Sequence, residues 1–181
     1  MFDSFFQFNK VGKETPYSTT FLKNIWYYNF RSRKSLFIVE VEEYQHHIFV
    51  LKYYQKKHKK HPKKFQILSD EYKAATVIGT CIRIMLSIYH KNNKASFGFI
   101  GANSFNPESG EEEPINNTQR FRIYKYAMEE LIGTESFTHG MEEDSSSYIM
   151  ISNKCDVHFI ASEAKRMFTE LYPSFSGRNG D

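Results

Sequence analysis

The chain has 181 residues, of which 40% are hydrophobic and 17% aromatic, and its formal net charge is +3. That length fits one domain, and the apolar content excludes a disordered polyelectrolyte. Cys81 and Cys155 form no CxxC motif and are too few for a disulfide framework, so we expect a reducing compartment and a cytoplasmic protein. We predict a single globular domain over residues 1–173, followed by a flexible tail over residues 174–181.

Membrane insertion is not expected from the sequence. Residues 1–9 are aromatic, but they carry Asp3 and no site typical of leader cleavage. The longest apolar stretch with helical spacing, Ala74–Tyr89, contains Arg83 and is too short to cross a bilayer comfortably. We interpret this stretch as a core helix.

Three strands are predicted in the first part of the chain. Tyr27–Phe30 and Leu36–Val41 alternate loosely and are rich in aromatic and β-branched residues, and His47–Tyr54 is similar. Residues 31–34 and 42–46 would then form the two turns of a meander.

The most regular helical pattern follows these strands. Ser69 is a typical N-cap residue, and apolar residues then recur at helical spacing on one face. The residues of that face are Ile78, Cys81, Ile82, Met85, Leu86 and Tyr89. We expect this helix to end at residues 91–94.

A buried strand and a second helix are predicted next. Ala95–Gly101 is short and apolar, as central strands are. After a polar loop, Asn117 or Thr118 would cap a helix that reaches Ile132 and ends before Gly133.

The last predicted elements are the strand Tyr148–Ser152 and a helix that begins after Asp156. The complete order is therefore β-β-β-α-β-α-β-α. It predicts an α+β fold, a mixed α/β sandwich in which three helices lie on a mostly antiparallel sheet of about five strands.

Charge is unevenly distributed along the chain. Residues 10–64 hold thirteen Lys and Arg against four Glu, an excess of +9, whereas residues 108–144 hold ten acids against three basic residues.

Six of the lysines lie within residues 56–64, beside aromatic residues. Clustered lysines bind phosphate backbones by releasing counterions, and aromatic rings stack on unpaired bases. The candidate nucleic-acid ligands are Lys56, Lys57, His58, Lys59, Lys60, His61, Lys63 and Lys64, with Arg31, Arg33 and Lys34 nearby. The alternative is a solvated connection that only keeps the protein soluble.

The histidines do not predict a metal site. His46 and His47 are adjacent, so on a strand they would point to opposite faces. His58 and His61 lie among lysines that repel a divalent cation, and neither pair has a Cys or carboxylate at ligand spacing.

The start of the second helix is a candidate anion site. Helix N-termini offer unpaired backbone N–H groups, and Arg120 and Tyr124 lie four residues apart on one helix face. The candidate anion ligands are Gly101, Thr118, Arg120, Arg122 and Tyr124. The alternative is that Arg120 and Arg122 pair with the glutamates of residues 111–113 and hold the loop in place.

Several short stretches, taken in order, resemble a known family. They are Ala75-Thr76-Val77 at a helix start, Phe97–Gly101 followed by a serine, the run from Arg120 to Tyr124, and Ser147–Ile151. They resemble a family of small bacterial proteins of unknown function. Its members combine a "TV" helix start, a strand ending in glycine and serine, an Arg-x-Arg-x-Tyr helix start and a closing Tyr-rich strand.

The resemblance covers roughly residues 25–154. The chain departs from the family pattern by an acidic loop at residues 106–113 and by an extra C-terminal helix. The resemblance implies the fold order and singles out Arg120, Arg122 and Tyr124, and it implies no activity.

Three hypotheses of function remain open from the sequence. The first is a small module that binds RNA or DNA phosphates through residues 56–64. The second is a metal-independent ribonuclease of the toxin type, in which Arg120, Arg122 and Tyr124 grip a phosphate. The third is an interaction factor whose basic and acidic parts bind a protein partner or a second copy of the chain. None of the three requires a cofactor.

Overall fold

The computed structural model describes residues 4–17, 21–68 and 74–172. The elements in chain order are β1 (Phe8–Glu14), β2 (Leu22–Arg31), β3 (Leu36–Tyr44), β4 (Ile48–Gln55), α1 (Ala74–Lys91), β5 (Ser96–Ile100), α2 (Gln119–Leu131), β6 (Phe137–Glu142), β7 (Ser147–Ser152) and α3 (Val157–Leu171). The strands form one seven-stranded sheet in the order β1-β2-β3-β4-β5-β7-β6.

The sheet is antiparallel except at its centre. There β4 and β5 run parallel, and α1 connects them as a crossover helix. The parallel pairing is short, because it runs only from Ile48 opposite Ser96 to Val50 opposite Gly98. Beyond Val50, β4 continues to Gln55 paired with β3 alone.

Helices cover both faces of the sheet, because alternate strand residues point to opposite faces. On one face, a cluster that includes Phe37, Val39 and Val41 packs with buried residues of α1 and α2. On the other face, Ile48 and Val50 pack with Ile160, Ala164 and Met167 of α3.

The helix boundaries follow the capping residues of the sequence. The Thr118 side chain accepts a hydrogen bond from the Phe121 N–H, and Asp156 accepts one from the Phe159 N–H. Gly133, just beyond α2, has a φ of +64°, which favours glycine. The three predicted helices are therefore confirmed, although the Ser69 cap lies outside the described residues.

The α+β class is confirmed, but the prediction of about five strands is too low and the predicted element order lacks two strands. The strands that were missed, β1 and β6, are the two edges of the sheet, and most of their residues are polar or charged. Edge strands that carry charge lack the hydrophobic alternation on which the prediction depends. Residues 42–44 also extend β3 instead of forming a turn, which is confined to Gln45–His47.

No helix among the described residues has both the length and the apolar character needed to cross a bilayer. The predicted tail, residues 174–181, lies outside the described part of the chain.

Candidate functional site

One end of the sheet brings together loops that are far apart in sequence. Arg31 lies opposite Leu36, and Phe37 lies opposite Gln55, so the β2–β3 turn is beside the end of β4. Ile100 lies opposite Ser147, which places the end of β5 and the β6–β7 turn at the same end of the sheet. We call this the loop end of the molecule.

The β2–β3 turn is fixed by a buried serine. The Ser32 hydroxyl accepts hydrogen bonds from the backbone N–H groups of Ser35, at 2.9 Å, and of Lys34, at 3.3 Å. The Ser32 backbone N–H donates to the Ser35 carbonyl at 2.9 Å. A serine that bonds locally in this way stabilises a turn, and here it leaves the side chains of Arg31, Arg33 and Lys34 exposed.

The β2–β3 turn and the end of β4 line a cavity of about 430 Å³. Its cationic residues are Arg31 and Lys34 from the turn and Lys56 and Lys57 from the residues after β4. We call these four residues the basic surface. All four belong to the residues that the sequence predicts to bind nucleic acid, and the strand register brings them to one cavity.

Gln55 also lines this cavity, although no motif in the sequence marks it as a site residue. Its side chain is 5% exposed, and its Nε2 donates to the Ser35 hydroxyl at 3.1 Å. Its Oε1 has no hydrogen-bond partner among the residues described. Because Oε1 is buried from solvent, a ligand in the cavity does not contact it, and Gln55 contributes to the cavity wall by packing.

Residues 56–64, which we call the basic segment, form a series of hydrogen-bonded turns. The Lys59 N–H donates to the Lys56 carbonyl, the His61 N–H to the His58 carbonyl, and the Lys64 N–H to the His61 carbonyl. Lys59 and Lys60 are exposed on these turns. Their charges therefore extend the positive field of the basic surface into solvent.

Lys63 and Lys64 form ion pairs within the chain. The Lys63 ammonium lies 2.6 Å from Glu112, and the Lys64 ammonium lies 2.8 Å from Glu40. Both also contact aromatic rings, with the Lys64 ammonium 4.2 Å from the centre of the Tyr54 ring. Their charges are balanced within the chain, so they contribute little to an external phosphate.

The four histidines that were considered as metal ligands are used elsewhere or lie apart. His46 lies 3.2 Å from Glu163, and His47 forms a 3.0 Å hydrogen bond with Asn92. The His61 Nδ1 accepts the Lys63 backbone N–H at 3.0 Å. Among the described residues, no three His, Cys, Asp or Glu side chains converge as a metal site requires.

Arg120 is buried, with 8% of its surface exposed. Its guanidinium donates to the backbone carbonyl of Phe65 and, at 3.0 Å, to that of Ile67, and it lies over the Tyr53 ring. Tyr124 is also buried, and the centre of its ring lies 5.4 Å from that of Phe99. The guanidinium therefore joins α2 to the segment that follows the basic turns, a partner that neither reading of the sequence considered.

The N-terminus of α2 packs closely against the end of β5. The Thr118 hydroxyl donates to the Gly101 carbonyl at 2.7 Å, and the Thr118 backbone N–H donates to the Ser146 hydroxyl at 2.9 Å. A Cβ atom on Gly101 would lie 2.6 Å from atoms of Phe121. Arg122 is exposed and donates to the Asn117 carbonyl. The anion site predicted here stays a prediction. In this structure, residues of the chain itself occupy the space beside the N-terminus of α2.

Where β4 and β5 separate, a cleft of about 450 Å³ opens at the loop end. We call it the central cleft. It is lined by Leu51, Lys52, Tyr53, Pro62, Lys63, Phe65, Gln66, Ile100, Gly101, Ala102, Asn103, Ile115, Tyr124, Glu142, Asp144, Ser145 and Tyr172. No local sequence pattern predicts this cleft, because it depends on which strands are neighbours and on where their pairing stops.

Lys52 is the most deeply placed cation of the central cleft. Its ammonium lies 2.8 Å from Glu42 and 2.9 Å from the Tyr172 hydroxyl. Burial alone would lower the pKa of Lys52, but Glu42 and Tyr172 outweigh it, so the net pKa is raised. Lys52 is therefore held as a cation whose charge is already matched by Glu42.

Comparisons of the chain with protein-family models, with curated proteins and with solved structures find no match. The resemblance to small bacterial proteins therefore stays a prediction.

Proposed function

We propose that the protein is a nucleic-acid-binding module that holds the phosphates of RNA or DNA on its basic surface. The observation that carries this proposal is the cavity shared by Arg31, Lys34, Lys56 and Lys57, which come from two separate segments. Cations gathered at one place on the surface attract a polyanion and release its counterions.

The pairing of charges within the chain supports this surface over the rest of the basic segment. Lys63 and Lys64 are matched by Glu112 and Glu40, whereas Lys56, Lys59 and Lys60 project into solvent. The sugar–phosphate backbone of a bound nucleic acid would therefore follow the β2–β3 turn and the first turns of the basic segment. It would not extend to residues 63 and 64.

The rim of the basic cavity also suits a sugar–phosphate backbone. Arginine binds phosphate oxygens in a bidentate manner, and lysine does so as a point charge. A cavity lined by one arginine and three lysines is matched by a ligand with anionic oxygens.

The ribonuclease alternative has less support than the binding module. It assigns phosphate binding to Arg120, whose guanidinium donates hydrogen bonds to the carbonyls of Phe65 and Ile67.

The cytoplasmic location is likewise part of the proposal, and it is supported by two cysteines that are both free thiols.

The proposal is tested by fluorescence anisotropy with a labelled single-stranded 12-mer at low salt. The triple variant R31Q/K34Q/K56Q removes three charges from the basic surface. The control K23Q/K94Q/K154Q removes the same number of exposed charges from the opposite end of the sheet. We expect the first variant to weaken binding at least tenfold and the control to change it by less than about threefold. Equal effects of the two variants would refute a defined binding surface.

A further inference from the structure

The central cleft is separate from the basic surface and is not used by the proposed phosphate contacts. We propose that it receives one unpaired base with an exocyclic amino group, from a single strand whose phosphates lie on the basic surface. This inference rests on the proposed function and specifies the form of nucleic acid that is bound.

The shape of the cleft fits one base with its sugar. The cleft lies at the carboxyl ends of two parallel strands, beyond the last pair of β4 and β5, Val50 and Gly98. Crevices at the carboxyl ends of parallel strands are common ligand sites in sheets of this kind. Its volume of about 450 Å³ lies within the range typical of small-molecule sites, about 300–1,000 Å³.

Aromatic rings line the inner part of the cleft. The Lys52 ammonium lies 5.7 Å from the centre of the Phe65 ring and 5.5 Å from that of Tyr172, so both rings border the same space. Bases stack on aromatic rings largely independently of sequence. Because Glu42 already balances Lys52, this space favours a neutral flat group over a phosphate.

Two carboxylates at the cleft select the kind of base. Glu142 and Asp144, on the β6–β7 hairpin, both line the cleft and are exposed. Ionised carboxylates only accept hydrogen bonds, and they repel phosphate. They match the amino groups of adenine, cytosine and guanine, whereas uracil and thymine place carbonyl oxygens on both sides of their single N–H donor.

The two cavities are close enough to share one strand of nucleic acid. Tyr53 lines the central cleft and Gln55 lines the basic cavity, and these residues lie about 7 Å apart along β4. Pro62 and Phe65, which follow the basic turns, form part of the cleft wall. A strand on the basic surface therefore passes the mouth of the cleft, and a base can enter while its neighbours' phosphates stay bound.

The test uses the full chain and three 12-mers of uridine: one unmodified, one with a central adenosine and one with a central 2-aminopurine. We expect the adenosine to tighten binding roughly tenfold over uridine alone. The fluorescence of 2-aminopurine should change on binding, because the base leaves solvent and stacks. The variant E142Q/D144N should lose the preference for adenosine. The control E108Q/E130Q, which removes two exposed acids that do not line the cleft, should retain it.

The possible outcomes separate this inference from the proposed function. If all three oligonucleotides bind equally, or if E142Q/D144N keeps the adenosine preference, the assignment of the cleft is overturned while the phosphate surface stands. If none of them binds at low salt, both proposals are overturned together.

Discussion

Replacing Arg120 with methionine tests whether this side chain holds the protein together or binds a ligand. Methionine keeps an unbranched apolar stem but loses the hydrogen bonds to the carbonyls of Phe65 and Ile67. A hydrogen bond from a charged donor contributes about 1.5–3 kcal/mol, and its loss leaves the carbonyl unpaired. Removing a buried charge recovers part of its desolvation cost, so we expect a net loss of about 2–4 kcal/mol in the free energy of unfolding.

The assay is urea unfolding at pH 7, followed by circular dichroism and by the fluorescence of Trp26, together with the melting temperature. For a chain of this size, the expected loss lowers the melting temperature by roughly 5–15 °C. The control is Arg122→Met, which changes an exposed arginine two residues away and should cost less than about 1 kcal/mol. If Arg120→Met is as stable as the wild type but loses affinity for oligonucleotide, the guanidinium is a ligand and our reading of it is wrong.

Three further predictions concern single residues. Gly101→Ala should destabilise the protein by about 1–3 kcal/mol in urea unfolding, because its Cβ would lie 2.6 Å from atoms of α2, whereas Gly12→Ala meets only ordinary contacts. Burial and then Glu42 raise the pKa of Tyr44 well above its usual value, so the folded protein keeps a proton that the unfolded chain loses above about pH 10. The unfolding free energy should fall as pH rises past 10, and Tyr44→Phe should make that fall shallower by up to about 1.4 kcal/mol per pH unit. Burial raises the pKa of Cys81 to about 12, so a thiol reagent at pH 8 should modify Cys155 in the folded protein and Cys81 only in urea.

Local signals in the sequence predicted the helices and the central strands well. Thr118 and Asp156 cap their helices through their own side chains, and Gly133 takes the conformation that glycine favours. These features depend on a few neighbouring residues, and so the sequence displays them directly. The strands β1 and β6 were missed, because an edge strand with polar residues on both faces has no period that distinguishes it from a loop.

The candidate sites were less predictable, because they depend on long-range pairing. The positive charge of residues 56–64 was visible, but the capture of Lys63 by Glu112 and of Lys64 by Glu40 was not. Arg120 was expected to bind an anion or a glutamate, and instead it donates to two backbone carbonyls more than fifty residues away. The central cleft exists because β4 is longer than its pairing with β5, which no local pattern reveals.

The salt dependence of oligonucleotide binding tests the basic surface most directly. Each phosphate neutralised on a single strand contributes about −0.7 to the slope of log affinity against log salt, so Arg31, Lys34 and Lys56 together contribute about −2. The variant R31Q/K34Q/K56Q should therefore make the slope shallower by about 2, while K23Q/K94Q/K154Q should leave it unchanged. A wild-type slope near zero, or a slope that the first variant does not change, would contradict the claim that these residues bind phosphates.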